Sequence, residues 1–258
     1  MTTLTFSNAC LLLSASGLAG ALNGVAGGGS FISFPALIFA GFPSLKANAT
    51  NNTVTWMGYL ASIRAYRCHM STPRWQLLGL ASISSVGGVI GAMLLLRTPQ
   101  PLFTKLVPYL LLVATVLFTL NSYLANWRQP SHSTPAKSSP HSLMLVGLLQ
   151  FLVAIYGGFF GGGSGIVMLA TFSLLEMKNI HAMNALKTTL NACINGVAMI
   201  AFIAAHTIDW QAAFLMSCGS FLGGYWGVYA VRQLDAKFLR GFITLVGLSL
   251  TIYFFVQS

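Results

Sequence analysis

The sequence predicts an all-α polytopic membrane protein, built of two inverted repeats of about five helical segments each, with glycine-broken helical hairpins meeting near the membrane centre. Three observations carry this expectation. First, 55% of the 258 residues are hydrophobic and only 6% are Asp, Glu, Lys or Arg, against about 25% charged in a typical soluble domain; the mean hydropathy is +0.75. Second, charge-free runs recur at 1–45, 47–63, 75–96, 106–127, 138–175, 188–208, 210–231 and 241–258. Several exceed the roughly 20 apolar residues that span a bilayer, and none shows the period-two alternation of a transmembrane barrel. Third, two short motifs occur twice, in the same order.

The repeated motifs define the halves. "GGGSFI" at 27–32 matches "GGGSGI" at 161–166 at an offset of 134, and "NATNNT" at 48–53 lies on "NALKTT" at 184–189 at an offset of 136. Between the halves runs "RQPSHSTPAKSSPH", with three prolines and four serines, a polar linker by composition. The expected organisation is a first membrane repeat over 1–127, a cytoplasmic linker over 128–141 and a second, inverted repeat over 142–258. Within the first repeat, helical segments are expected near 10–26, 30–42, 48–66, 75–96 and 102–126. In the second they are expected near 142–160, 163–176, 182–205, 210–230 and 238–256. The first two of each half meet at the glycines as a hairpin or a broken helix.

An odd number of segments per half inverts the second half, and the charges agree. With Arg64, Arg67 and Arg74 in the cytoplasm, Arg128, Lys137, Lys178, Arg232, Lys237 and Arg240 also fall inside, and Lys46, Arg97 and Lys105 outside. Nine basic residues against three satisfies the positive-inside rule. Both termini and the turn 206–209 are then outside. The opening "MTTLTFSN" has no basic region before the apolar run, so a cleaved signal peptide is not expected. Lys187 fits neither side.

The polar residues following each glycine cluster have helical spacing. Asn48, Asn51, Asn52 and Thr55 stand at i, i+3, i+4 and i+7, as do Asn184, Lys187, Thr188 and Asn191, continued by Asn195. Each set lies on one helix face, which in a membrane must meet protein or a water-filled cavity. The plainer alternative is that the amides and hydroxyls join helices together. The glycines Gly27, Gly28, Gly29 and Gly161, Gly162, Gly163 are poor helix formers. They serve either close packing or a break that frees backbone N–H groups at the next helix start, an anion-binding arrangement. Ser30 and Ser164 stand where N-caps are expected. Lys187 is the one basic residue well inside an expected span, where a lysine costs about 2.5–3.5 kcal/mol at the centre. No acid stands at i±3 or i±4 of it. It either snorkels to an interface, pairs with Glu176, or attracts an anion.

Other chemistries are disfavoured by what is missing, and a membrane-embedded enzyme stays only a remote alternative. Cys10, Cys68, Cys193 and Cys218 have no paired or metal-ligand spacing and are expected to be small buried residues. The histidines form no metal-binding motif, no histidine lies near Ser30 or Ser164 in sequence, and the three acids, Glu176, Asp209 and Asp235, stand at expected helix ends. A membrane-embedded hydrolase, aspartyl protease or metalloenzyme therefore lacks its residues, and a cation carrier lacks intramembrane carboxylates. No cofactor is called for. The net charge of +10 sits at the ends of apolar runs, which argues for topology signals and against nucleic acid. The Asn48 and Asn51 glycosylation signals lie on the polar face and are read as chance matches. The expected partners are a small anionic substrate and the lipid bilayer. A homodimer is compatible with the sequence and not demanded by it, and a passive anion channel or a carrier of another small organic anion remains the alternative.

The glycine cluster, Pro35, Gly41, "LKANATNN" (45–52) and "YLASIRAYR" (59–67) resemble the first half of the sulfite exporter TauE/SafE family, of the toluene-sulfonate-uptake type of transporter; "GGFFGGGSGI" (157–166) and "HAMNALKTTLNACIN" (181–195) resemble its second half. The resemblance covers nearly the whole chain. It implies a multi-pass plasma-membrane transporter of small sulfur-containing or organic anions such as sulfite, thiosulfate, sulfoacetate and other sulfonates. The second motif departs from the first, with Leu169 in place of Pro35 and Lys187 in place of Asn51.

Overall fold

The computed structural model describes residues 5–127, 140–174, 177, 179–231 and 236–257. Most of the linker 128–141 and the charged residues Arg128, Lys137, Glu176, Lys178, Arg232 and Asp235 lie outside them. Among the described residues there are helices and turns and no strand. The helices are α1 (Phe6–Val25), α2 (Ser30–Phe39), α3 (Ser44–Tyr66), α4 (Arg74–Arg97), α5 (Gln100–Trp127), α6 (Pro140–Phe159), α7 (Ser164–Leu174), α8 (Ile180–Ala204), α9 (Trp210–Leu222), α10 (Val228–Val231) and α11 (Ala236–Gln257). They follow the expected segments to within a few residues. The expected helix 210–230 is interrupted by a π-helical turn, Gly223–Gly227, between α9 and α10.

Lengths sort the helices. α1, α4 and α8 are long and apolar enough to cross a membrane. α2 has 10 residues, and α7 has 11 among the described residues, each about 15 Å at 1.5 Å per residue, half the hydrocarbon thickness. α2 stops early because Gly41, at φ +89°, closes it: the Gly41 N–H reaches Ile38 O (2.9 Å) and the Phe42 N–H reaches Leu37 O (3.1 Å).

The packing is reciprocal between the halves. α1 packs on α9 and α4 on α6; α3 packs on α9 and α4 on α8; α1 and α2 pack together as do α6 and α7; α2 meets α11 as α7 meets α5. At the centre α3 packs on its sequence counterpart α8. These two run antiparallel: Thr55 bonds Asn195 across them, while Tyr66 faces His181. The flanking contacts are backbone-close. A Cβ on Gly223 would collide with Gly17 O, one on Gly224 with Gly58 O, and one on Gly91 with Ile155 O. Small residues permit such approach where lipid offers no hydrophobic drive for helices to associate.

The interior holds a polar centre, and the exterior is apolar. Phe214 is 69% exposed, Ile200 65% and Leu245 65%, while Lys187, Asn191 and Thr188 are each 0% exposed. A soluble fold inverts that arrangement; in a bilayer, it is what burial of polar side chains against protein requires. Apolar clusters flank the polar centre: Phe31, Phe34, Leu37, Phe103, Phe160 and Phe202 lie in one, and Met168, Phe172, Leu186, Leu190 and Ile194 in another. The cysteines correct the expectation of burial: Cys10, Cys68 and Cys218 are exposed and Cys193 is half-buried. An apolar exterior accepts a small apolar residue as readily as the core does.

Gly91→Ala is expected to lower the apparent melting temperature of the detergent-purified protein, at a cost of about 1–3 kcal/mol for overpacking the α4–α6 contact. Gly79 in the same helix has open space around it, so Gly79→Ala is expected to be neutral or to stabilise by about 0.5–1 kcal/mol.

Candidate functional site

Each hairpin turns through a glycine held at positive φ. Gly27 (φ +84°) and Gly161 (φ +79°), counterparts in the repeat, close the ends of α1 and α6. The Gly27 N–H donates to Leu22 O (2.9 Å) and the Gly161 N–H to Tyr156 O (3.3 Å), each five residues back. An L-residue is penalised at such φ and glycine is not. Gly163 also stands at positive φ, +78°.

The openings of α2 and α7 are served differently from the expected N-caps. Gly29, not Ser30, occupies the N-cap position of α2, with no side-chain cap of its own. The amide oxygen of Asn23 instead accepts the Gly29 N–H at 2.8 Å, reaching over from α1. Ser30 is the first helical residue and is buried. Ser164 likewise opens α7, and its hydroxyl donates to Gly161 O (3.1 Å) and Asn191 Oδ1 (2.9 Å). Some backbone donors are spent on tight turns, with Phe31 N–H on Gly28 O, Ile32 N–H on Gly29 O and Ile166 N–H on Gly163 O.

The two breaks touch. A Cβ on Gly27 would stand 2.9 Å from Gly165 C and 3.0 Å from Ile166 N; one on Gly165 would stand 3.1 Å from Gly27 Cα and 3.1 Å from Lys187 Cδ. Gly24, Gly27, Ser164, Gly165, Asn184, Lys187 and Asn191 thus form one cluster. At its heart the Lys187 ammonium donates to Gly24 O (3.2 Å) and Asn184 Oδ1 (2.8 Å). Lys187 is fully buried, so it does not snorkel; Glu176, the other partner considered, lies outside the described residues. Among the described residues the acid is Asp209, at the N-cap of α9, where it pairs with Lys46 at 3.0 Å. The ammonium has three N–H groups, and among the described residues the third has no acceptor.

Gly24 O is one of the four carbonyls that the end of α1 leaves without an intrahelical partner. A cation there also meets the negative end of the helix dipole. The other break is served in the same crossed fashion: Asn48 of α3 donates its amide to Phe159 O, at the end of α6, at 2.9 Å. Each polar helix therefore bonds the broken helix of the opposite half.

The remaining predicted residues divide. Asn51 Oδ1 accepts from the Ser33 hydroxyl of α2 at 2.5 Å, and Asn195 Oδ1 accepts from the Thr55 hydroxyl at 3.2 Å. Asn191 Nδ2 meets Lys187 O and Met168 Sδ, each at 3.1 Å. Thr188 turns its hydroxyl back to Asn184 O and Ala185 O of its own helix. Gly162 O accepts from the Tyr156 hydroxyl at 2.6 Å. Buried side-chain atoms left without a partner include Asn23 Nδ2, Asn48 Oδ1 and Asn52 Oδ1. Such orphans are rare in native proteins; these three lie on α1 and α3, and others, among them His69 Nδ1, Gln150 Oε1 and Ser220 Oγ, lie elsewhere. Sequence reasoning missed Asn23, Ser33 and Gly165. Asn23 is the only asparagine between Ala9 and Ala47, the one signal that pointed to it.

A buried cation, amides and a hydroxyl, with no carboxylate joining them among the described residues, form a donor-rich centre of the kind that suits an anion. The comparisons with known proteins give the class of membrane transporters. No solved structure matches this chain. It is similar to a probable membrane transporter protein, ORF9, of Sinorhizobium sp, at 29% identity over 252 residues, 98% of this chain and 94% of that one. It is similar also to the probable membrane transporter protein YfcA of Escherichia coli (strain K12), at 29% identity over 89% of this chain and 82% of that one. A probable membrane transporter protein of Haemophilus influenzae is 25% identical over 89% of this chain and 88% of its own length. The profile of the sulfite exporter TauE/SafE family matches residues 12–254, and the chain belongs to that family of membrane transporters.

Proposed function

We propose that this transporter moves a small sulfur-containing anion, such as sulfite, thiosulfate or an organosulfonate like sulfoacetate, across the plasma membrane, binding it between the two glycine breaks. The observation that carries the reading is Lys187, an ammonium with no exposure whose partners among the described residues are neutral oxygens. A lysine at such depth is costly, and an anion that takes the place of Gly24 O or fills the third donor position turns the cost into substrate affinity. Asn184 and Asn191 flank it on α8; Asn23, Asn48, Asn51, Asn52 and Asn195 are proposed to complete the polar path along α1, α3 and α8. The glycines Gly27–Gly29 and Gly161–Gly163 keep Cβ atoms out of the approach, next to Ser30 and Ser164.

The halves are read as inverted repeats with both termini outside. Support comes from the antiparallel α3 and α8, the reciprocal packing of the halves, and the pairing of Lys46 with Asp209, which places two turns assigned to the outside together. In a cysteine-free background, Ala205→Cys is expected to react with an impermeant thiol reagent in intact cells and Ser71→Cys only after permeabilisation. The reverse pattern, or equal reaction of both, contradicts this topology.

Reconstituted protein is expected to take up labelled sulfite, thiosulfate or sulfoacetate into proteoliposomes with saturation and counterflow, which a passive channel does not show, and to leave nickel untouched. Lys187→Met is expected to purify as a monodisperse, inserted protein and to lose at least about 100-fold in transport, the scale of removing one charge-assisted contact of up to about 3 kcal/mol. Undiminished transport by this variant rules out the ammonium as the anion's partner.

A further inference from the structure

We infer that the outer face of α3 and the π turn carries a binding site for an anionic phospholipid, separate from the substrate site, with an acyl chain in an apolar groove and the headgroup phosphate on Arg64. The groove has a volume of about 360 Å3 and is lined by Leu60, Ala61, Arg64, Phe221, Tyr225 and Trp226. Its form follows from the packing behind it. α3 and α9 run parallel, because Asp209 at the start of α9 bonds Thr50 and Lys46 near the start of α3, while Ser62 near the end of α3 bonds Gly224 O. Gly223, Gly224 and Gly227 turn toward α1 and α3, where a Cβ would collide with Gly17, Gly58 and Ala21. The π turn therefore turns Trp226 outward, 67% exposed, while Tyr225 is half-buried against the cluster of Ala65, Tyr66 and Val228. Leu60 and Arg64 lie one helical turn apart, as do Phe221 and Tyr225, so both walls run along the helix axes. That is the direction of a lipid chain beside a membrane-spanning helix.

Charge selects the occupant. Arg64 is the single charged residue lining the groove, and it sits in the last turn of α3, ahead of the exposed Arg67 and Arg74. A guanidinium binds phosphate through paired N–H donors. Tyr and Trp favour the level of the headgroups, where one end of the ring is apolar and the other wet. Basic positions between helices on the cytoplasmic side bind anionic headgroups. A groove facing the hydrocarbon also excludes a soluble peptide as its ligand.

The test uses the full-length protein, delipidated in detergent and supplied with dioleoyl phosphatidylglycerol or dioleoyl phosphatidylcholine. Retained lipid is counted by native mass spectrometry, and folding is checked by circular dichroism and melting. The wild type is expected to retain phosphatidylglycerol about fivefold better than phosphatidylcholine, Arg64→Gln to hold both equally, and Leu60→Trp, which fills the groove from its half-exposed rim, to lose the tightly held lipid while remaining folded. Arg97→Gln, at the end of α4, is expected to keep the wild-type preference. Equal retention of the two lipids by the wild type, or an unchanged preference in Arg64→Gln, overturns the proposal. So does conversion of a dimer to a monomer by Leu60→Trp, which assigns the groove to a second copy of the chain.

Discussion

A helix broken inside a membrane protein exposes backbone groups where there is no water to satisfy them. That constraint organises this structure. The ends of α1 and α6 each leave carbonyls without intrahelical partners, and the chain meets them from the other half: Lys187 of α8 on Gly24 O, and Asn48 of α3 on Phe159 O. The start of α2 is met locally, by Asn23 on the Gly29 N–H. The two central helices, α3 and α8, are consequently polar on the faces they share with the breaks, and the rest of the fold keeps those faces from lipid.

The same constraint explains how a lysine can sit at zero exposure with no acid beside it among the described residues. The carbonyl end of α1 carries a partial negative charge, and the ammonium completes its hydrogen bonding there and on Asn184. The arrangement holds Lys187 in place without neutralising it. A full carboxylate would occupy the ammonium permanently; a carbonyl and an amide oxygen can be exchanged for a charged ligand. The first half has Asn51 at the matching position, engaged with Ser33, so the polar centre has a charged side and a neutral side.

Much of this was legible in the sequence because it is written in periodicity and repetition. The charge-free runs located the helices, and the duplicated "GGGS" located the breaks, since only glycine tolerates the positive φ that Gly27 and Gly161 adopt. The i, i+3, i+4, i+7 polar pattern located the buried polar faces of α3 and α8. What escaped depends on contacts between distant segments. Asn23 is a lone amide in an apolar run and acquires its role only when α2 folds back on α1. Ser30 was expected to cap α2, but Gly29 takes that position because Asn23 already serves its N–H. Thr188 has the spacing of a site residue, yet its hydroxyl bonds its own helix. The π turn Gly223–Gly227 has no periodic signature; it arises where three glycines press against α1 and α3.

The crossed service of the two breaks can be measured directly by amide hydrogen exchange on the purified protein, comparing peptides over 24–31 with peptides over 157–166. Asn48→Leu, which removes the donor to Phe159 O, is predicted to raise exchange at the α6–α7 break and leave the α1–α2 break protected. Lys187→Met is predicted to do the reverse, raising exchange around Gly24–Phe31. Loosening of each variant's own half, or protection at both breaks in both variants, contradicts the account.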